Sequence, residues 1–179
     1  MQSLNTIKNY MQKTLFKPAT LALAGLATIT GCADYSFSLN QKVLYTPPSL
    51  FSDFNVDDEH LQNCLQQTII DQQLVDAKQL LVLNCSNANI TSVAGIELFT
   101  QLQKVNFDHN GIDDIEPLAA LRDLQLLLLN SNELTDITPL ATLENIDHLE
   151  LSDNPALNCQ QPYWAHIPQT LVLPKQCKP

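Results

Sequence analysis

From Leu80 onward, apolar residues fall into register when the chain is written in lines of 22 beginning at Leu80, Leu102, Leu124 and Ile146. Leu83, Val105, Leu127 and Leu149 form one column, and Cys85, Phe107, Leu129 and Leu151 form the next but one. Four sparser columns follow: Ile90, Ile112 and Leu134; Val93, Ile115 and Ile137; Ile96, Leu118 and Leu140; Phe99, Leu121 and Leu143. Alternation at the start of each line predicts a short strand with one buried face. Gly95, Pro117 and Pro139 share a later column, and proline there excludes a long helix on the return path. Asn110, Asn132 and Asn154 fall where each strand ends and the chain must turn inward. A buried amide both donates and accepts, so it can satisfy the backbone groups freed by that turn. The first line has Ala88 at this position, between Asn87 and Asn89, so its coil is expected to be irregular. One such coil cannot bury its apolar edge alone; three or more must stack.

The spacing is the L-x-x-L-x-L-x-x-N-x-L pattern of leucine-rich repeats. The segments "IDDIEPL" (112–118) and "LTDITPL" (134–140) resemble the internalin-type repeats of bacterial surface proteins, and the resemblance covers 80–158. It implies an α/β solenoid with three full coils and a partial fourth.

Solenoid ends must be covered. In "DDEHLQNCLQQTI", 57–69, Asp57 or Asp58 can start a helix, and Leu61, Cys64, Leu65 and Thr68 or Ile69 recur at helical spacing. Residues 53–79 are therefore expected to form an N-terminal helical cap, similar to those preceding many bacterial leucine-rich arrays. Residues 159–179 are expected to close the other end.

The N-terminal 31 residues carry Lys8, Lys13 and Lys17 and no acid, with an apolar stretch at 19–29. About 16 Å of helix is too short to span a ~30 Å hydrocarbon core. A basic start, a short apolar centre and small residues describe a secretory signal. Its end, Ile29-Thr30-Gly31-Cys32, resembles the lipobox of bacterial lipoproteins. That resemblance implies cleavage before Cys32 and acylation of Cys32 on sulfur (palmitate) and on nitrogen, enough for stable anchoring. The alternative is an ordinary signal with an incidental cysteine. Ala33 rather than aspartate follows the cysteine, which by the same resemblance implies the outer membrane of a Gram-negative envelope, with its periplasmic or surface face open. Within 33–52, Tyr35, Phe37, Leu39, Val43 and Tyr45 share one parity and predict a strand ending at Thr46-Pro47-Pro48. This arm is read as ordered, with an extended linker as the alternative.

All 19 acids but only six of the nine basic residues lie in 32–179, a formal net charge of −13. Such a surface excludes nucleic acid as a partner and disfavours anionic headgroups. An extracytoplasmic compartment permits disulfides. With Cys32 lipidated, Cys64, Cys85, Cys159 and Cys177 allow three pairings, of which proximity favours Cys64–Cys85 and Cys159–Cys177. Cys64 lies on the apolar face of the predicted helix and Cys85 in an inward strand column, so their bond would join the cap to the first coil. The Cys159–Cys177 spacing resembles the disulfide caps of secreted repeat proteins. Zinc is the alternative, and no C-x-x-C pair supports it.

The strand residues between the buried columns should line the concave surface: Val82, Asn84 and Ser86; Lys104, Asn106 and Asp108; Leu126, Leu128 and Asn130; His148, Glu150 and Ser152. His109, Ser131 and Asp153 flank them. Leu126 and Leu128 are apolar where solvent is expected, which points to a partner site, with cover by the N-terminal arm or by a self-contact as the alternative. The predicted binding residues are Lys104, Asn106, Asp108, Leu126, Leu128, Asn130, His148 and Glu150. No catalytic, metal or cofactor site is expected. His109 and His148 lie in non-adjacent coils. In "DHNGID", 108–113, the core column claims Ile112 where a calcium loop would need a ligand. No G-x-S-x-G, phosphate-binding glycine loop or H-E-x-x-H occurs. Asp113, Asp114 and Asp136 read as solvated convex residues, and Tyr163 and Trp164 as packing in the C-terminal cap. The expected function is non-enzymatic binding of a protein or glycan by a lipid-anchored envelope protein. The alternative is a periplasmic structural or assembly scaffold.

Overall fold

A computed structural model describes residues 37–39, 42–45, 49–160 and 168–177. The expected signal segment, the expected lipidation site Cys32, and Tyr163 and Trp164 lie outside the described residues. The chain divides into two units, 1–47 and 48–179.

In the first unit, β1 (Phe37–Leu39) pairs antiparallel with β2 (Lys42–Tyr45), with a register irregularity between Phe37 and Ser38. The single strand expected over this stretch is thus a hairpin. Parity alone cannot detect a reversal between the two strands, because residues on both sides keep the alternation.

In the second unit, α1 (Glu59–Gln72) is followed by five three-residue strands, β3 (Val82–Asn84), β4 (Lys104–Asn106), β5 (Leu126–Leu128), β6 (His148–Glu150) and β7 (Thr170–Val172). They form one parallel sheet in sequence order. Each strand pairs in register with the residue 22 positions on, from Val82↔Lys104 to His148↔Thr170. β7 corrects the expected coil count: the sheet continues one rung into the segment assigned to the C-terminal cap. The same 22-residue step places Leu171 and Leu173 in the columns of Leu149 and Leu151, and both pack against the core.

Every apolar column from Leu80 to Leu151 is buried. On the return path, 3-10 turns form at Ile96–Leu98, Glu116–Ala120 and Thr138–Thr142. Pro117 and Pro139 sit in the first turn of the latter two, where no N–H is required. Asp114 accepts from the N–H of Glu116 at 2.9 Å and Asp136 from that of Thr138 at 2.8 Å. These convex carboxylates brace the turns as well as facing solvent. Hydrogen bonds from the Thr138 hydroxyl and N–H hold the Asp136 carboxyl below its ordinary range.

The asparagine column forms a ladder. Asn132 Oδ1 accepts from Ile112 N–H at 3.1 Å, and its Nδ2 donates to the Phe107 carbonyl at 3.0 Å. Asn154 repeats this with Leu134 N–H at 3.2 Å and the Leu129 carbonyl at 2.8 Å. Asn110 accepts from Ala88 and Ile90 N–H at 3.1 and 3.0 Å. The residue just before each asparagine is left-handed: His109, Ser131 and Asp153 have φ of 57°, 56° and 55°. The first coil has two such residues, Asn87 (55°) and Asn89 (61°), which is the irregularity expected around Ala88.

Leu61, Leu65 and Ile69, four residues apart on α1, are buried in the same core as the first coil. Cys64 is bonded to Cys85 and Cys159 to Cys177, over separations of 21 and 18 residues. In the chain-entropy view each contributes about 3 kcal/mol. Upstream of α1, Phe51 and Phe54 pack on Phe99 with ring centroids 6.2 and 5.6 Å away. The Phe51 N–H donates to the Leu74 carbonyl at 2.8 Å. Packing with the first coil thus extends upstream of residue 53, the expected start of the helical cap.

Candidate functional site

Side chains of a strand alternate, so the residues flanking each buried centre project from the same sheet face. Parallel in-register pairing then sets them in rows. One row runs Val82, Lys104, Leu126, His148, Thr170; the next runs Asn84, Asn106, Leu128, Glu150, Val172. Neighbours in a row are about 4.8 Å apart. Leu126 therefore stands between Lys104 and His148, and Leu128 between Asn106 and Glu150.

Both leucines are half-buried rather than fully exposed. Lys104 is exposed; Asn106, Asp108, Asn130, His148 and Glu150 are half-buried. All eight residues predicted for the site thus share one sheet face or its border.

A hydrogen-bonded belt surrounds the leucines on their C-terminal side. Asp108 accepts from the Asn130 N–H at 2.7 Å. Asn130 Oδ1 accepts from Ser152 N–H at 2.8 Å, and its Nδ2 donates to Glu150 Oε2 at 2.9 Å. The other Glu150 oxygen meets His148 Nε2 at 2.8 Å. The Asn130 amide and then His148 hold the Glu150 carboxyl below its ordinary range. Glu150 is consequently a fixed anion beside Leu128, with its geometry set by two partners.

Sequence reasoning missed three features of this face. Thr170 and Val172 belong to the rows, and adding 22 to His148 and Glu150 would have found them. The Asn130–Glu150 contact gave no sequence signal, because it joins neighbouring coils through rotamer choice. His109, taken as a flanking residue, is exposed at a left-handed position, where it shapes the turn.

Among the described residues, no group of three or more His, Cys, Asp or Glu side chains is arranged to hold a metal. Likewise, no helix there is long and apolar enough to cross a membrane.

No protein-family model matches the chain, and no curated protein matches it in sequence. Among solved structures, an internalin from Listeria monocytogenes aligns with 28% identity and a TM-score of 0.50, over 54% of this chain and 30% of its own. Internalin C2 from the same organism aligns at 18% identity and TM-score 0.28, over 56% of this chain and 71% of its own. The CBM51-2 and INT domains of Clostridium perfringens ZmpB align at 19% identity and TM-score 0.39, over 52% of this chain and 20% of theirs. The chain therefore matches less than a third of the first internalin's length. Together with the 22-residue coils, the parallel sheet and the asparagine ladder, that alignment gives the chain an internalin-like leucine-rich-repeat fold.

Proposed function

We propose that this chain is a non-enzymatic envelope lipoprotein whose concave sheet face captures a protein or glycan partner. One observation carries the binding role. Leu126 and Leu128 stand side by side at the centre of a five-strand sheet, facing out, with Glu150 fixed beside them by Asn130 and His148. A central apolar anchor inside a polar surround is the usual energetic layout of a recognition surface.

The anchoring role rests on the Ile29-Thr30-Gly31-Cys32 site behind a short apolar run. Lipid on Cys32 would hold the repeat unit at the outer membrane through residues 33–48. Within that unit, α1 serves as the N-terminal cap, which the burial of Leu61, Leu65 and Ile69 supports. The Cys159–Cys177 segment closes the other end.

The test is photocrosslinking in living cells from position Leu128, with identification of what is captured. A specific adduct from 128, absent when the photoreactive group is placed at the convex residue Glu116, is the expected result. Equal labelling from both positions overturns the concave site. Protease shaving of intact cells then separates a surface receptor from a periplasmic scaffold, because only the former is accessible.

A further inference from the structure

Asn110-Gly111 is the one Asn-Gly pair in the chain, and it lies in the first rung of the asparagine ladder. The other two ladder asparagines precede Glu133 and Pro155. The backbone does not call for glycine here. Gly111 is not at a positive φ, and a β-carbon would meet Thr91 Cγ2 at 3.6 Å and the Ile90 carbonyl at 3.7 Å, both ordinary contacts. The chemical effect of the glycine is specific. With no side chain on the following residue, the backbone nitrogen approaches the asparagine amide carbon unhindered, and ring closure between them is faster than at other asparagines.

The fold restrains both reacting groups. Asn110 Oδ1 accepts from Ala88 and Ile90 N–H at 3.1 and 3.0 Å. Its Nδ2 donates to the Cys85 and Phe107 carbonyls at 3.0 and 2.9 Å and more loosely to that of Asp108 at 3.4 Å. The Gly111 N–H donates to the Ile90 carbonyl at 2.8 Å. The amide cannot swing toward the Gly111 nitrogen without breaking its bonds, and the proton on that nitrogen is itself engaged. All but the Phe107 and Asp108 bonds run to the first coil. Separating the first coil from the second therefore releases electrophile and nucleophile together. Asn110 is half-buried, so solvent base reaches the pair as soon as the coils part.

We propose that Asn110 is a deamidation site gated by the docking of the first coil. In the open state the Gly111 nitrogen gives its proton to solvent base and attacks Asn110 Cγ. The Cγ–Nδ2 bond breaks, and Nδ2 leaves as ammonia with a proton from water. Water then opens the cyclic imide at either carbonyl, giving aspartate or isoaspartate. The net change is water consumed and ammonia released, with no oxidant or reductant. Aspartate keeps an acceptor for Ala88 and Ile90 but turns the donor Nδ2 into an oxygen facing the Cys85 and Phe107 carbonyls, with no proton between them. Isoaspartate also lengthens the main chain by one carbon and breaks the register between coils. A transient opening of the first rung thus becomes a permanent one.

The test incubates the full chain, disulfides intact, at mildly alkaline pH, both folded and in urea, and follows each asparagine by peptide mass mapping. Unfolded, Asn110 should react ahead of every other asparagine, including Asn130, which precedes a serine. Folded, it should react more than about tenfold more slowly, because only the opened fraction is reactive. Gly111→Ala should fold normally and suppress the reaction in urea. Equal rates in folded and unfolded chains, reaction led by another asparagine, or a Gly111→Ala chain that reacts as fast, each overturns the proposal. Asn110→Asp tests the consequence by amide exchange. Its Ile90 and Gly111 amides should exchange more than about tenfold faster than in wild type, while Leu129 and Leu151 are unchanged. Full protection at Ile90 and Gly111, or protection lost at Leu129 and Leu151 as well, overturns the claim that deamidation opens the first rung.

Discussion

Asp58 and Thr91, separated by 33 residues, are joined by two hydrogen bonds: Asp58 Oδ2 accepts from the Thr91 N–H at 2.8 Å and from its hydroxyl at 2.9 Å. The other carboxylate oxygen accepts from His60 and Leu61 N–H at 2.9 and 3.0 Å. One side chain therefore starts α1 and fastens it to the convex side of the first coil. Burial alone raises the Asp58 pKa, but the bonds from Thr91, Leu61 and Ser92 outweigh it and bring the value below 3.8.

A folded-state pKa lowered in this way contributes stability that is complete above pH 3.8 and disappears as pH falls through the lower, folded value. Asp58→Ala should cost about 1–3 kcal/mol near neutral pH. Urea unfolding at a series of pH values should show the gap between wild type and variant narrowing once the pH drops below 3.8. A gap independent of pH would mean the carboxylate charge is not what holds the helix.

Gly95 should not accept a side chain. Its φ is +94°, and a β-carbon there would stand 2.6 Å from Val56 Cγ1 and 2.9 Å from the Asn55 carbonyl. Gly95→Ala combines backbone strain with a clash against the segment leading into α1, and should lower stability by about 1–3 kcal/mol or more. Denaturant titration measures it, and an unchanged midpoint would show that 55–56 can move aside freely.

The asparagine ladder predicts an order. Asn132 is 3% exposed, and its removal would orphan the Ile112 N–H and the Phe107 carbonyl away from water. Asn132→Ala should cost about 1–3 kcal/mol per group so stranded. Asn110 is half-buried, so water can replace part of what it supplies, and Asn110→Ala should cost less. Calorimetric melting of the two variants tests the ranking.

Leu127 and Leu128 are consecutive and should behave oppositely. Leu127 is fully buried and Leu128 is half-buried on the outward row. Leu127→Ala should destabilise by about 2–5 kcal/mol. Leu128→Asn should scarcely move the melting temperature yet weaken partner capture. If both variants melt early, the outward row contributes to folding instead of recognition.

The middle of this fold was legible because each coil repeats one physical demand. Leu83, Val105, Leu127 and Leu149 must each fill the same slot against a neighbour. Repetition turns a weak preference into a column. The ends were less legible because they meet different neighbours. Pro168 stands where Leu80, Leu102 and Leu124 stand in earlier coils, so the line leading to β7 looked like a cap. The Asp58–Thr91 clamp and the Asn130–Glu150 contact are single pairings with no periodic echo. At the outward sheet face, alternation separated outward from inward residues, while the bonds that fix Glu150 depend on three-dimensional juxtaposition alone.

The asparagine ladder also gives the solenoid a direction. Each asparagine reaches back to the coil before it: Asn110 to Ala88 and Ile90, Asn132 to Ile112, Asn154 to Leu134. The side-chain bonds that complete a coil's turn thus come from its successor, while its predecessor offers backbone carbonyls, Ile90 to the Gly111 N–H and Ile112 to the Glu133 N–H. Stripping a coil from the C-terminal side takes away the asparagine that bridges the preceding turn, whereas stripping one from the N-terminal side leaves the next turn's asparagine in place and frees backbone donors such as the Gly111 or Glu133 N–H. The array should resist unzipping unequally from its two ends. A pulling force applied through its C-terminus would have to break an asparagine bridge at each coil boundary, like a pawl lifted from the tooth behind it.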